Sequence, residues 1–281
     1  MIQRPDVLVD FHLFEALHMH LRQHLPLVPP GISLAWLTRV LDAGCGFHLW
    51  GRDLFRAMVE QVGHELVADV RIEGIDDRPD SVSAANKQIR TGRGQVVARV
   101  GDMFDLPADF SNYYNLVHAR FLAPFVAPHV WSTILGELVR VCKPGGWVVW
   151  TEPAVPTKGE RTPAWNQWLD WVEQAVEYTG GSPSITASMQ QVFRQAGSWE
   201  EIERQKTSLP LHTTSTTRGY LLADQVRVLH RWLFALRSYL LAGKVVSPRM
   251  LDQGLKQGEE EFNRRAVTSQ WEWYTLSGRK L

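Results

Sequence analysis

The chain has 281 residues, a formal net charge of +0 from 30 basic and 30 acidic side chains, and a hydrophobic content of 44%. That length buries one large core, or a core with a smaller cap, and the balanced charge argues against a nucleic-acid footprint. Cys45 and Cys142 form no CxxC pair or metal-ligand spacing, and no apolar run reaches a bilayer-spanning length, which excludes a disulfide scaffold and a membrane-embedded chain.

Residues 9–24 place Val9, Phe11, Leu13, Leu17 and Leu21 near helical spacing, and prolines at 26, 29 and 30 break the chain afterwards. The opening segment carries acids and histidines and makes a poor secretory leader, so a cytoplasmic protein is expected. Arg39-Val40-Leu41 begins a strand that runs into the glycine turn Asp42-Ala43-Gly44-Cys45-Gly46, and residues 51–63 read as the helix that follows. A second strand is predicted over 67–76, a second helix over 79–92 and a third strand over 95–107. A fourth strand falls within 113–125. A helix over 129–146 is stopped by Pro144-Gly145-Gly146, and a fifth strand covers 147–153.

Five alternating strand and helix units over 39–153 predict a parallel sheet with right-handed crossovers. Apolar runs such as WVVW fit strands covered on both faces. Beyond Pro153, helices are predicted over 161–179 and about 219–242, with a sixth strand over 200–212 and a seventh over 269–281. The predicted fold is therefore α/β: a doubly wound, mostly parallel seven-stranded sheet. An N-terminal helical lid segment would occupy 1–38 and the core 39–153; a helical cap and the last two strands would occupy 154–281. Twelve tryptophans, seven of them between 131 and 199, fit either core packing or an aromatic-lined acceptor pocket.

The glycine turn lies where open α/β sheets bind ligands, at the carboxyl edge beside a helix N-terminus. A dinucleotide site wants G-x-G-x-x-G or A, and Leu49 stands three residues after Gly46, which disfavours nicotinamide and flavin dinucleotides. VLDAGCGFHLW, the pair Ile75-Asp76, the run Gly101 to Pro107, the strand Asn115 to Arg120 and the turn Val141 to Gly146 occur in order. Together they resemble the class I S-adenosylmethionine-dependent methyltransferases, of the bacterial small-molecule type found in secondary metabolism.

The resemblance implies a Rossmann-like core, S-adenosyl-L-methionine as cofactor and S-adenosyl-L-homocysteine as product. It also implies methyl transfer to a small, apolar or aromatic acceptor, by a monomer or homodimer that binds neither nucleic acid nor membrane. The implied cofactor residues are Asp42, Gly44, Cys45, Gly46, Asp76, Asp77, Asp102, Met103 and His118. Asp76 would hold the ribose hydroxyls, and Asp102 with the next backbone amide would hold adenine. His118 and Glu152, at the ends of strands four and five, are candidate bases. Arg120 would hold an acidic acceptor or pair with Asp105. No metal-ligand cluster and no GxSxG nucleophile are present in the sequence.

One departure stands out: His48 occupies the place of the family's third glycine. It would either reach the transfer centre, crowd and weaken the cofactor site, or pack beneath the helix. The crowding option keeps two alternatives open, a relative that catalyses a non-methylating cyclisation or rearrangement and a non-catalytic regulatory partner.

Overall fold

The computed structural model describes residues 11–89, 95–154, 163–212, 237–264 and 268–281. One seven-stranded sheet has the order β3-β2-β1-β4-β5-β7-β6. β1 (Arg39–Ala43), β2 (Arg71–Asp76), β3 (Val96–Val100), β4 (Tyr114–Arg120) and β5 (Cys142–Pro153) are parallel. β7 (Thr268–Lys280) runs antiparallel between β5 and β6 (Trp199–His212). The chain moves outward from β1 through β2 to β3, then returns to place β4 on the other side of β1. This reversal opens a crevice at the carboxyl ends of β1 and β4.

Alternation within β1 sends Val40 to one face and Leu41 to the other. Val40 joins Trp50, Leu54 and Phe55 of α2 (Leu49–Val62), while Leu41 joins Ile134, Leu135 and Leu138 of α4 (Trp131–Val141). Fully burying each of these large side chains contributes about 2 kcal/mol, so helices on both faces hold the sheet rigid at the crevice. α3 (Pro79–Gln88) covers the edge near β3. α4 stops at Val141, earlier than predicted, and β5 begins at Cys142. The Lys143-Pro144-Gly145-Gly146 turn therefore becomes an irregularity inside the strand, where the register slips between Tyr114 and Leu116.

A second core caps the carboxyl edge. α1 (Phe11–Arg22), α5 (Pro163–Tyr178), α7 (Arg237–Ala242) and α8 (Pro248–Arg264) gather around Trp168, Trp171, Leu240, Leu251 and Trp273. α6 (Ile185–Gln195) packs with α4 beneath the sheet. Neither α6 nor α8 was predicted. In α8 the reason is physical: two of its buried positions are Gly254 and Gly258, notches that receive Trp171 and Trp168. A Cβ at either would lie 2.3 Å from an indole carbon. The greater part of the helix predicted near 219–242 lies outside the described residues. Among these, no helix is long and apolar enough to cross a membrane.

Candidate active site

The crevice holds a cavity reached by the ends of β1, β2 and β4, the loop after β3, and α1. At its floor, Asp42 of β1 faces His118 of β4 as its direct register partner. The Nδ1 groups of His118 and His48 lie 2.8 and 3.0 Å from the two oxygens of Asp42. Burial works against charge on Asp42, but these bonds prevail and hold its carboxyl well below the usual range. The carboxylate therefore fixes each Nδ1 as a protonated, donating nitrogen. Burial lowers the pKa of His118 despite the pull of Asp42, so its imidazole is neutral near pH 7. Its ring stacks on Trp50 with centroids 3.7 Å apart.

His48 takes the left-handed conformation, φ +53°, that a third glycine would adopt at this turn. Its ring is fully buried and points beneath the turn into space left by two glycines. Cβ atoms at Gly51 and Gly74 would lie 2.1 and 2.7 Å from the ring. Gly74 is the β2 register partner of Asp42, which is why room exists there. His48 is absent from the cavity wall, and its ring takes the packed position beneath the turn.

The nine residues expected to hold a cofactor all line this cavity. Asp76 closes β2 and accepts from the backbone N–H of Gly46 at 2.8 Å and of Arg78 at 3.1 Å. Burial raises its pKa. The N–H groups of Gly44 and Cys45 bond the carbonyl of Ile75, so this turn is braced against β2 and presents its open side to the cavity. Asp102 caps its own loop by accepting from Phe104 N–H at 2.9 Å.

Glu152 is not part of the wall. It is fully buried, and its oxygens accept from the N–H groups of Leu122, Ala123 and Trp150 at 2.9 to 3.0 Å. Burial pushes its pKa up to about 7. It braces the segment after β4 instead of facing a ligand, because its end of β5 is covered by that segment. This segment carries Phe121, whose φ of +59° is strained for an aromatic residue and turns its ring toward the cavity.

Several wall residues escaped the sequence reading. Phe14, Leu17 and Leu21 come from α1, beside His18, a histidine the sequence offered as a pocket candidate, and Phe47, Phe125 and Tyr239 complete an aromatic side. The helical spacing of α1 and its expected place as a lid carried that signal, but the spacing did not single out which side chains would reach the cavity. The cap tryptophans fill the second core, and among the described residues only Trp50 of the twelve reaches the cavity. Arg120 does not pair with Asp105. Its Nη2 lies 2.9 Å from His18 Nδ1, and His18 Nε2 lies 3.0 Å from Asp53.

A parallel sheet with an antiparallel strand between β5 and β6, and carboxylates at successive strand ends facing one crevice, defines the class I methyltransferase architecture. A model described as a methyltransferase domain matches residues 37–207, more than half of the chain. The chain belongs to this methyltransferase-domain family. The N-methyltransferase verN of Clonostachys rogersoniana is 29% identical over 118 residues, which cover 41% of this chain and 36% of that protein. The match thus spans about a third of the relative's length. The Bacillus halodurans protein BH2331 superposes with a TM-score of 0.51 at 17% identity, covering 95% of this chain and 98% of that one. Haemonchus contortus phosphoethanolamine N-methyltransferase 2, solved with phosphomonomethylethanolamine and S-adenosylhomocysteine, superposes with a TM-score of 0.50 at 14% identity. That superposition covers 95% of this chain and 52% of the Haemonchus one. These structural likenesses establish the shared fold.

Proposed function

We propose that the chain transfers a methyl group from S-adenosyl-L-methionine to a small acceptor with an apolar or aromatic body. The observation that carries this reading is the convergence of Asp42, Asp76, Asp102 and the glycine turn on one cavity that continues into aromatic walls beneath α1. The donor set fits a nucleoside with an amino-acid tail. Asp76 retains lone pairs for a ribose diol beyond its two backbone bonds, and Asp102 stands beside Met103 at the adenine end. A Cβ added at Gly46 would meet nothing within 4 Å, so the turn opens directly onto the ligand space.

When bound, S-adenosylmethionine supplies an electrophilic methyl group carried on a sulfonium. The protein's tasks are alignment and exclusion of water, which the packed face of α1 and the aromatic walls suit. His118 is the group we assign to accept a proton, since Asp42 occupies its Nδ1 and leaves Nε2 basic.

Titration calorimetry with S-adenosylmethionine and S-adenosylhomocysteine tests the reading. Micromolar binding of both is expected, and Asp76→Asn should weaken each by about 10- to 100-fold through loss of a charged acceptor. Absence of binding to the wild type would overturn it.

A further inference from the structure

Arg120 enters the cavity from the end of β4, two residues beyond His118. Among the described residues its one hydrogen bond is from Nη2 to Nδ1 of His18. Burial lowers the pKa of that histidine to about 4, so it is a neutral imidazole that positions the guanidinium without balancing its charge. Asp42, Asp53 and Glu152 act on Arg120 through space, but each is committed elsewhere. Asp42 serves His48 and His118, Asp53 serves His18 and Arg22, and Glu152 serves three N–H groups. The guanidinium thus keeps unused N–H groups in a fork that matches an oxyanion.

The wall of the cavity it enters also carries Phe14, Leu17, Phe121, Phe125 and Tyr239, which offer aromatic and aliphatic surface to an occupant bonded to Arg120. A cation in such surroundings is costly until an anion joins it. We propose that Arg120, held by His18, binds an anionic oxygen group, a carboxylate or its equivalent, on an acceptor whose body is aromatic or aliphatic. This specifies the acceptor class of the methyl-transfer reading and rests on it. Arg120 also borders a smaller space behind β4, beside Thr151, Gln205 and Thr275, where Trp50 and His118 are the aromatic residues of the wall and no phenylalanine lines it.

The test uses 3-phenylpropionate and 3-phenylpropanamide, a charged and a neutral probe of one shape. Each is titrated calorimetrically with and without S-adenosylhomocysteine. The acid is expected to bind about tenfold or more tightly than the amide, as a charge-assisted pair requires. Arg120→Gln should bring the two within about twofold, and Arg120→Lys should retain part of the preference. S-adenosylhomocysteine carries a carboxylate of its own, so an acid preference that vanishes when it is bound, together with weaker binding of it by Arg120→Gln, would assign Arg120 to the cofactor and overturn the proposal.

Equal affinity for acid and amide in the wild type overturns the proposal. So does failure of the acid to bind at millimolar concentration, or a preference that survives Arg120→Gln. The wild-type comparison stands even if a variant does not fold. Loss of S-adenosylhomocysteine binding with the acid preference intact would overturn the methyl-transfer reading and support the anion site.

Discussion

His48 and Gly51 form a matched pair across the glycine turn and the first turn of α2. A methyl group at Gly51 would lie 2.1 Å from the His48 ring. Gly51→Ala is therefore expected to cost about 1–3 kcal/mol in the wild type. In a His48→Gly background the same change should be neutral or stabilising by up to about 1 kcal/mol, because alanine favours a helix interior. Urea unfolding of the four proteins closes this cycle, and additive effects would refute the pairing. Since the ring lies outside the cavity wall, His48→Gly should leave S-adenosylhomocysteine affinity within about threefold of wild type, a shift under 1 kcal/mol. Glu152→Gln should lower stability by about 1–3 kcal/mol, since an amide group would confront backbone donors that now meet carboxylate oxygens. Unfolding at neutral pH reads that change. The acids at strand ends were legible because strand, turn and carboxylate are adjacent in sequence. The directions of His48 and Glu152 were not, since glycines on β2 and α2 decide the first and the segment after β4 decides the second.

α1 carries two buried histidines that burial keeps neutral, and His18 ties it to Asp53 and Arg120. His18 and His20 both have pKa values lowered to about 4, the latter also by repulsion from His24. In the unfolded chain they titrate near 6.5. Their contribution is complete above pH 6.5 and is lost as pH falls toward 4, by up to about 3 kcal/mol each. Glu152, with its pKa raised to about 7, works in the opposite direction: its ionisation costs stability as pH rises from 4.5 to 7. The comparison that isolates one histidine is thus between wild type and His20→Leu, whose stability should fall less between pH 7 and 4. Identical slopes would contradict the assignment. On the cap, Gly258→Ala should cost about 1–3 kcal/mol by pushing Trp168 from its notch, read by unfolding. That notch also shows why α8 was invisible in the sequence: glycine supplies shape at a buried position without adding hydrophobicity. β6 and β7 were legible as strands because their residues alternate, but their pairing with each other was not, since it joins segments far apart in sequence.

For the molecule as a whole, a ligand that binds only the folded chain must raise its stability. S-adenosylhomocysteine at about a hundred times its Kd should add about 2.7 kcal/mol and move the thermal midpoint up by several degrees. A midpoint unmoved by saturating ligand would count against a site in the crevice. The strand and helix alternation over 39–153 was readable because its strands, apart from the edge strand β3, are largely buried and each helix follows its strand closely. The cap was harder to read because its helices come from both ends of the described chain and find one another only in three dimensions.

That order along the chain has a consequence for synthesis. Among the described residues β7 is the sole sheet partner of β6, yet it follows β6 by the 55 residues between His212 and Thr268. At about 5–20 residues per second, roughly 3 to 11 seconds separate the synthesis of β6 from that of its complement. For that interval the nascent chain carries a fourteen-residue strand with open edges on both sides. The position of one strand in the sheet thus sets a timetable, and the pace of translation between residues 213 and 267 governs how long the growing chain is open to the wrong partner.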